Sequence, residues 1–108
     1  MEIPDEIEEE LEDRGGLTEL LEKLNNLDIE QKSKVHKALS NKVRLKILAL
    51  LKEQDLCVCL LKEILDIKDS KLSYHLSVLK EEDLIEGERD ANFMIYRLTE
   101  RGDKFTPR

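Results

Sequence analysis

At 108 residues and without tryptophan, the chain is long enough for one domain with a modest core of leucine, isoleucine and valine. It has no run of about 18 apolar residues to cross a membrane, and its acidic start does not resemble a signal peptide, so we expect a cytoplasmic protein. Neither histidine has a convincing nucleophile or acid partner, and no glycine-rich phosphate loop is present, which argues against an enzyme.

The net charge of −7 is unevenly distributed. Residues 1–33 carry 12 acidic and 3 basic side chains, and residues 81–108 carry 8 acidic and 5 basic ones. Residues 34–80, in contrast, carry 10 basic and 5 acidic side chains. The overall charge argues against nucleic acid as a partner, but the local basic block is where phosphate contacts can form.

The first 39 residues contain an acidic segment and two short helical patterns. We expect residues 1–16, which end in two glycines, to be a flexible or loosely helical tail, either solvated or acting as a nucleic-acid mimic that covers the basic block. A leucine stripe follows, and Asp28 with Gln31 then resembles a capping box that starts another helix. Because a short amphipathic helix is unstable alone, this one must pack either on its own small domain or on the same helix of a second copy. The second option also supplies the two-fold symmetry of a helix-turn-helix repressor, so residues 17–39 are predicted to form a homodimer interface. Its members are Leu17, Leu20, Leu21, Leu24, Leu27 and Val35.

The next two segments predict a core helix and a helix-turn-helix. Asn41 is placed as the N-cap of a helix from Lys42 to about Glu53, where Arg44 is among the basic residues that could meet a DNA backbone. Residues 56–79 then predict two short helices around a tight turn, with Asp66 in the left-handed conformation. The buried stripes are predicted to be Val58, Leu60, Leu61, Ile64 and Leu65 in the first helix, and Leu72, Leu76 and Leu79 in the second.

The second helix of such a motif can enter the DNA major groove. Its outer face is small and polar, with hydroxyls and lysines that can bond phosphates or base edges, although an ordinary solvated face is the alternative. His75 is predicted to be a core-edge histidine with one hydrogen bond rather than a base-reading residue. With two residues of the following hairpin, the predicted DNA-binding residues are Lys68, Ser70, Lys71, Ser73, Tyr74, Ser77, Arg89 and Asn92.

Residues 84–88 and 93–98 predict a two-stranded hairpin, which after a helix-turn-helix is a wing. Thr99 to Gly102 could add one last turn, leaving residues 103–108 as a tail. The predicted fold is therefore mainly α with a small β-hairpin, a winged helix-turn-helix whose DNA-binding domain spans residues 40–102.

With these residues in place, the chain resembles the ArsR/SmtB family of arsenic- and metal-sensing winged-helix repressors. The resemblance runs from about Lys37 to Leu98. It is carried by residues 39–48 (Leu-Ser-Asn-Lys-Val-Arg-Leu-Lys-Ile-Leu), residues 55–59 (Asp-Leu-Cys-Val-Cys), residues 73–79 (Ser-Tyr-His-Leu-Ser-Val-Leu) and residues 96–98 (Tyr-Arg-Leu). It implies a homodimeric repressor of a two-fold symmetric DNA operator. The alternative is a winged-helix protein-interaction module that does not bind DNA.

Cys57 and Cys59 are the candidate sensing residues that the resemblance implies, for a thiophilic metal or metalloid ion or for an oxidant. Arsenic sensors of the family have a third cysteine where this chain has Lys62, and we expect the zinc-binding helix that many members carry after the wing to be missing. We expect free thiols, which in a regular helix would point about 200° apart. Further ligands would have to be His36, His75 or carboxylates, and the alternative is two small core residues.

Asp69 departs from the family pattern too, because an uncharged polar residue is more usual there. Its carboxylate would repel a nearby phosphate unless it serves as an N-cap.

Overall fold

The computed structural model describes residues 2–106, which contain seven helices and three strands. The elements are α1 (Asp5–Asp13), α2 (Gly16–Asn25), α3 (Ile29–Leu39), α4 (Lys42–Glu53), β1 (Leu56–Cys57), α5 (Val58–Leu65), α6 (Asp69–Glu81), β2 (Ile85–Asp90), β3 (Phe93–Leu98) and α7 (Glu100–Phe105). They form two compact units, residues 1–32 and residues 33–108. Within the described range, no helix combines the length and the apolar character needed to cross a bilayer.

In the first unit, the acidic segment expected as a flexible or loosely helical tail contains helix α1. The acidic residues in the first turn of α1 favour the helix, because their charges lie near the positive end of its dipole. Gly15 and Gly16 have φ angles of 100° and 80°, and this left-handed backbone makes the sharp turn into α2. Neither α1 nor α2 contains a buried residue.

The second unit has a closed apolar core around α4, which begins and ends as predicted. The Asn41 side chain caps this helix, its Oδ1 accepting hydrogen bonds from the backbone nitrogens of Val43 at 2.9 Å and Arg44 at 3.1 Å. The predicted cap of α3 also forms, since the Gln31 nitrogen donates to Asp28 Oδ1 at 3.1 Å. The buried core residues are Ala38, Ile47, Leu48, Leu51, Leu56, Leu61, Leu72, Leu76, Leu79, Leu84 and Ile85.

Helices α5 and α6 form the predicted helix-turn-helix. Asp66 joins them with φ 49° and ψ 55°, in the left-handed region as expected. The prediction that Leu60 and Ile64 widen the buried stripe of α5 is wrong, since their exposed fractions are 45% and 51%. Leu60 and Ile64 are one helical turn apart on the same side of α5, and they lie about 100° and 60° round the helix from the fully buried Leu61.

The sheet has three antiparallel strands in the order β1-β3-β2. Strands β2 and β3 form the predicted hairpin, in register from Ile85 opposite Leu98 to Asp90 opposite Phe93. Strand β1 was not predicted: Leu56 and Cys57 pair with β3, whereas the sequence placed them in the first helix of the motif. A strand of two residues is too short to show the alternation by which strands are recognised.

The end of the described chain is helical, which corrects the prediction of a tail from residue 103. Helix α7 begins after Thr99, whose hydroxyl accepts a hydrogen bond from the Gly102 nitrogen at 2.9 Å. The hydroxyl of the buried Thr106 donates to the Gly102 carbonyl at 2.7 Å, and Lys52 of α4 forms an ion pair with Asp103. Gly102 packs so tightly that a Cβ there would overlap the Leu84 carbonyl oxygen. Residues 107 and 108 lie outside the described range.

Candidate nucleic-acid interface

Helix α6 is divided into a buried apolar face and an exposed polar face. Leu72, Leu76 and Leu79 are buried in the core, as predicted. Six residues predicted to meet DNA lie on α6 or at its N-cap, and all are exposed; Tyr74 is the largest of them, with 60% of its surface accessible. These residues are Lys68, Ser70, Lys71, Ser73, Tyr74 and Ser77.

Asp69 begins α6, and its charge has a partner. The N-cap position belongs to Lys68, so Asp69 does not serve as the cap that the sequence left open. Its Oδ1 lies 2.9 Å from Nζ of Lys62 on α5. The pair is exposed, so its main effect is to reduce the negative charge presented at the start of α6 rather than to stabilise the fold.

The hairpin presents different charges on its two faces. Because side chains alternate along a strand, Glu86, Glu88 and Asp90 share one face of β2 and Arg89 lies on the other. On the acidic face, the Arg97 guanidinium lies 3.0 Å from Glu88, with Asp55 and Glu86 within 4.0 Å. Asn92 is exposed in the loop between the strands. The face of the hairpin that carries Arg89, together with the loop, is therefore the part that can contact a DNA phosphate.

Arg44 does not face solvent, which corrects the suggestion that it could meet DNA. It is 7% exposed, and its Nε and Nη2 donate to the carbonyl oxygens of Ala38 at 2.6 Å and Lys37 at 3.3 Å. Its Nη1 lies 3.1 Å from Nδ1 of His75, which is 4% exposed. His75 is therefore the core-edge histidine predicted from the sequence. Burial lowers the pKa of His75, and the charges of Arg44 and Lys71 lower it further, so the ring is neutral at pH 7.

Cys57 and Cys59 are joined by a disulfide, in place of the free thiols expected. The prediction that they point apart is wrong because Cys57 is not helical: it lies in β1 with φ −76° and ψ 157°, just before α5. Its Sγ also accepts a hydrogen bond from the Leu60 nitrogen at 3.3 Å. Cys57 is half-buried and Cys59 is exposed, so neither is a core residue.

The donors around this cysteine pair do not complete a four-ligand metal site. Among residues 2–106, no three histidine, cysteine or carboxylate side chains are grouped to hold a metal ion. His36 is exposed on α3, and His75 is engaged by Arg44. A tetrahedral zinc site needs about four ligands, so the residues present fit at most an ion or reagent that is satisfied by two sulfurs.

The leucines predicted to form a dimer interface are exposed along α2 and just after it. Leu17, Leu20, Leu21, Leu24 and Leu27 have exposed fractions between 48% and 57%. Val35, placed in the same interface, is 2% exposed and is already covered by its own chain. The candidate interface is therefore the leucine stripe without Val35.

Helices α5 and α6, followed by the hairpin of β2 and β3, make the second unit a winged helix-turn-helix. Residues 41–86 match the model of the arsR family of bacterial regulatory proteins. The chain is 34% identical over 106 residues to the ArsR protein of Halobacterium salinarum. This match covers 85% of the present chain and 82% of the ArsR protein. The protein therefore belongs to the arsR family of transcriptional regulators.

Two further similarities bear on its function. Over 75 residues the chain is 37% identical to the cadmium resistance regulatory protein CadC of Listeria innocua; the match covers 68% of this chain but spans only 63% of CadC. The solution structure of Mb0332 from Mycobacterium bovis, a homodimeric winged helix-turn-helix DNA-binding domain, superposes with a TM-score of 0.66 at 29% identity. That similarity covers 71% of this chain and 72% of Mb0332.

Proposed function

We propose that this protein is a homodimeric repressor that binds a two-fold symmetric operator through α6 and releases it when the Cys57–Cys59 pair changes its covalent or ligand state. The observation that carries the proposal is the exposed row of hydroxyls and lysines on α6, whose opposite face is fixed in the core. A rigid helix with a polar outer face can enter the major groove without a change in fold.

The exposed residues of α6 fall into two chemical groups. Lys68 and Lys71 can pair with phosphates, which fixes the register of the helix on the duplex. Tyr74 and the serine hydroxyls can contact base edges or phosphates, and the tyrosine ring can pack on a thymine methyl group. At the hairpin, Arg89 and Asn92 would contact the backbone beside the groove. The acidic face of the hairpin would have to point away from the duplex, because its carboxylates repel phosphates.

Dimer formation follows from the exposed leucines. Burying one leucine contributes about 1.5–3 kcal/mol, and the stripe offers five half-exposed ones. Pairing with the same stripe of a second copy would bury them and would generate the two-fold axis needed to read two half-sites about one helical turn apart. The homodimeric state of the structural relative Mb0332 supports the formation of a dimer.

The position of the cysteines suggests how sensing would reach the DNA-binding surface. Cys57 lies in β1, which pairs with β3 of the hairpin, and Cys59 lies in α5 of the helix-turn-helix. A change at this pair therefore acts where the hairpin strand and the motif helix meet. With hydrogen peroxide as the oxidant, the two thiols give up two electrons and two protons, the S–S bond forms and the peroxide leaves as two waters.

Fluorescence anisotropy with a duplex from the region upstream of its own gene tests DNA binding. Binding should weaken steeply as the salt concentration rises. Lys71→Ala should lower the slope of log affinity against log salt concentration by about one and should weaken binding to all sequences alike. Tyr74→Ala should instead reduce discrimination between sequences by about 1–3 kcal/mol. Lys104→Ala, at an exposed residue of α7, is the matched control and should leave both quantities unchanged. If no duplex binds even at low salt, the protein-interaction module is the better hypothesis.

Sensing is tested by comparing the reduced and the peroxide-treated protein in the same assay, and by adding trivalent arsenic or Cd²⁺ to the reduced form. Operator affinity should fall on treatment, and Cys59→Ser should abolish the response. A serine variant that still responds, or a wild type with equal affinity in both states, would remove sensing from the proposal and leave DNA binding intact.

A further inference from the structure

We propose that Arg44 and His75 are positioning residues for the recognition helix α6, and that protonation of His75 releases DNA as the pH falls. The proposal rests on the proposed role of α6 in DNA binding. It concerns a buried pair that is separate from the cysteines and from the exposed α6 face.

One guanidinium connects three helices. Arg44 stands in the first turn of α4, donates to the carbonyl oxygens of Lys37 and Ala38 at the end of α3, and contacts the His75 ring of α6. Arg44 and His75 are both more than nine-tenths buried. Water therefore cannot replace a hydrogen bond that is lost between them, and such a loss costs more than it would on the surface.

The direction of this hydrogen bond fixes the protonation state of the ring. Arginine stays charged and only donates, so His75 Nδ1 must accept and the single ring proton must lie on Nε2. Among residues 2–106, buried Nε2 has no hydrogen-bond partner. A second proton would turn Nδ1 into a donor that faces another donor, and it would place a positive ring against a positive guanidinium.

The charges around the ring all oppose that proton. Arg44 approaches from α4, and Lys71 lies one turn earlier on α6; both lower the pKa of His75, together with burial. From α3, the groups that reach Arg44 are carbonyl oxygens, not carboxylates. Because the pKa in the folded protein lies below the ordinary value of 6.5, the contact is intact above about pH 6.5 and is lost as the pH falls through the lower, folded value.

Loss of this contact would be felt directly at the DNA-binding face. The ring of Tyr74 packs beside the ring of His75, with centroids 5.3 Å apart and planes tilted by 59°. Lys71, whose charge acts on His75, is a predicted phosphate contact on the same helix. Displacement of His75 from Arg44 would thus move the two side chains on which phosphate contact and sequence discrimination depend.

The experiment uses the fact that the chain has two histidines. His36→Gln removes the exposed one and leaves His75 as the only imidazole, whereas His75→Gln keeps an acceptor for Arg44 that does not titrate. Anisotropy titrations with the upstream duplex are run at constant ionic strength from about pH 8 to about pH 5.5. Wild type and His36→Gln should lose affinity on acidification, by up to about tenfold per pH unit for each linked proton. His75→Gln should bind with an affinity that is nearly independent of pH.

Each result decides a different point. A pH-independent affinity in His36→Gln overturns the proposal even if His75→Gln fails to fold. A decline in His75→Gln that equals the wild-type decline also overturns it. If the proton on His75 merely destabilised the whole fold, circular dichroism would show unfolding over the same pH range, and a positioning role would be wrong. Absence of DNA binding at every pH would instead refute the proposed function itself.

Discussion

Leucine has two different environments in this protein. In the second unit, Leu48, Leu61 and Leu79 are fully buried, whereas the leucines of α2 in the first unit are about half exposed. The two sets share the spacing of a helical stripe and differ in what surrounds them. In the second unit, the helices and the sheet cover each other's apolar faces; α1 and α2 contain no buried residue. The same pattern thus produces a core when several elements converge and an exposed apolar stripe when they do not.

The largest effect is expected when negative charges are placed in the α2 leucine stripe. Leu21→Glu combined with Leu24→Glu should dissociate the proposed dimer, because it removes four half-exposed leucines per dimer, each contributing about 0.75–1.5 kcal/mol when covered. That corresponds to a change of at least about 100-fold in the dissociation constant. Sedimentation equilibrium measures it. Ile64→Glu, at an apolar residue of α5 that is 51% exposed, is the control and should remain dimeric. An unchanged dimer in the double variant would remove the stripe from the interface.

The opposite effect is expected in the core. Leu61→Ala should lower the free energy of unfolding by about 2–5 kcal/mol, because a fully buried side chain leaves a cavity. Urea denaturation, at a concentration where the chain is monomeric, checks this value. Leu24→Ala under the same conditions should change it by no more than about 0.5 kcal/mol. Equal losses in both variants would mean that the two environments do not differ.

A smaller effect is expected at the contact between α7 and the backbone of Leu84. Gly102→Ala should destabilise the fold by about 1–3 kcal/mol, because its Cβ would overlap the backbone oxygen of Leu84, which cannot move aside as a flexible side chain would. Lys104→Ala, an exposed change on the same short helix, is the control. Thermal unfolding that is identical for Gly102→Ala and wild type would show that α7 can shift at little cost.

The smallest expected effect has the opposite sign. Ala91 adopts a left-handed conformation with φ 55° in the hairpin loop, which costs a residue with a Cβ about 1–2 kcal/mol. Ala91→Gly should therefore stabilise the fold by about 0.5 kcal/mol after the greater chain entropy of glycine is subtracted. Ala49→Gly, within α4, should instead destabilise it by about 1 kcal/mol. A loss of stability in both variants would contradict the strain assigned to the loop.

The features predicted correctly from the sequence are those determined by local chemistry. The Asn41 cap, the left-handed Asp66 and the leucine spacing of α6 each depend on a few neighbouring residues, and all three are confirmed. The exposure of the polar α6 face follows from the same spacing, since a helix that buries leucines on one side presents the residues between them on the other.

The features that were missed depend on contacts between distant residues. Strand β1 exists because Leu56 and Cys57 meet Tyr96 and Ile95, some 40 positions later, and no pattern of two residues could show it. Arg44, however, could have been placed correctly. It precedes Ile47, Leu48 and Leu51 at helical spacing, so it lies on the buried face of α4, and a buried arginine requires acceptors.

Helix α3 belongs to both units, since the boundary between them falls after Lys32. At its first residue, Ile29 is 51% exposed, whereas Val35 and Ala38 near its end are 2% and 1% exposed. Amide hydrogens exchange with solvent when the local structure opens, and protection increases with the free energy of that opening, so it should rise along this one helix from its start to its end. In a hydrogen–deuterium exchange experiment, the first residues of α3 would report the opening of the first unit and its last residues the opening of the second. Both values would thus be read from one helix of eleven residues.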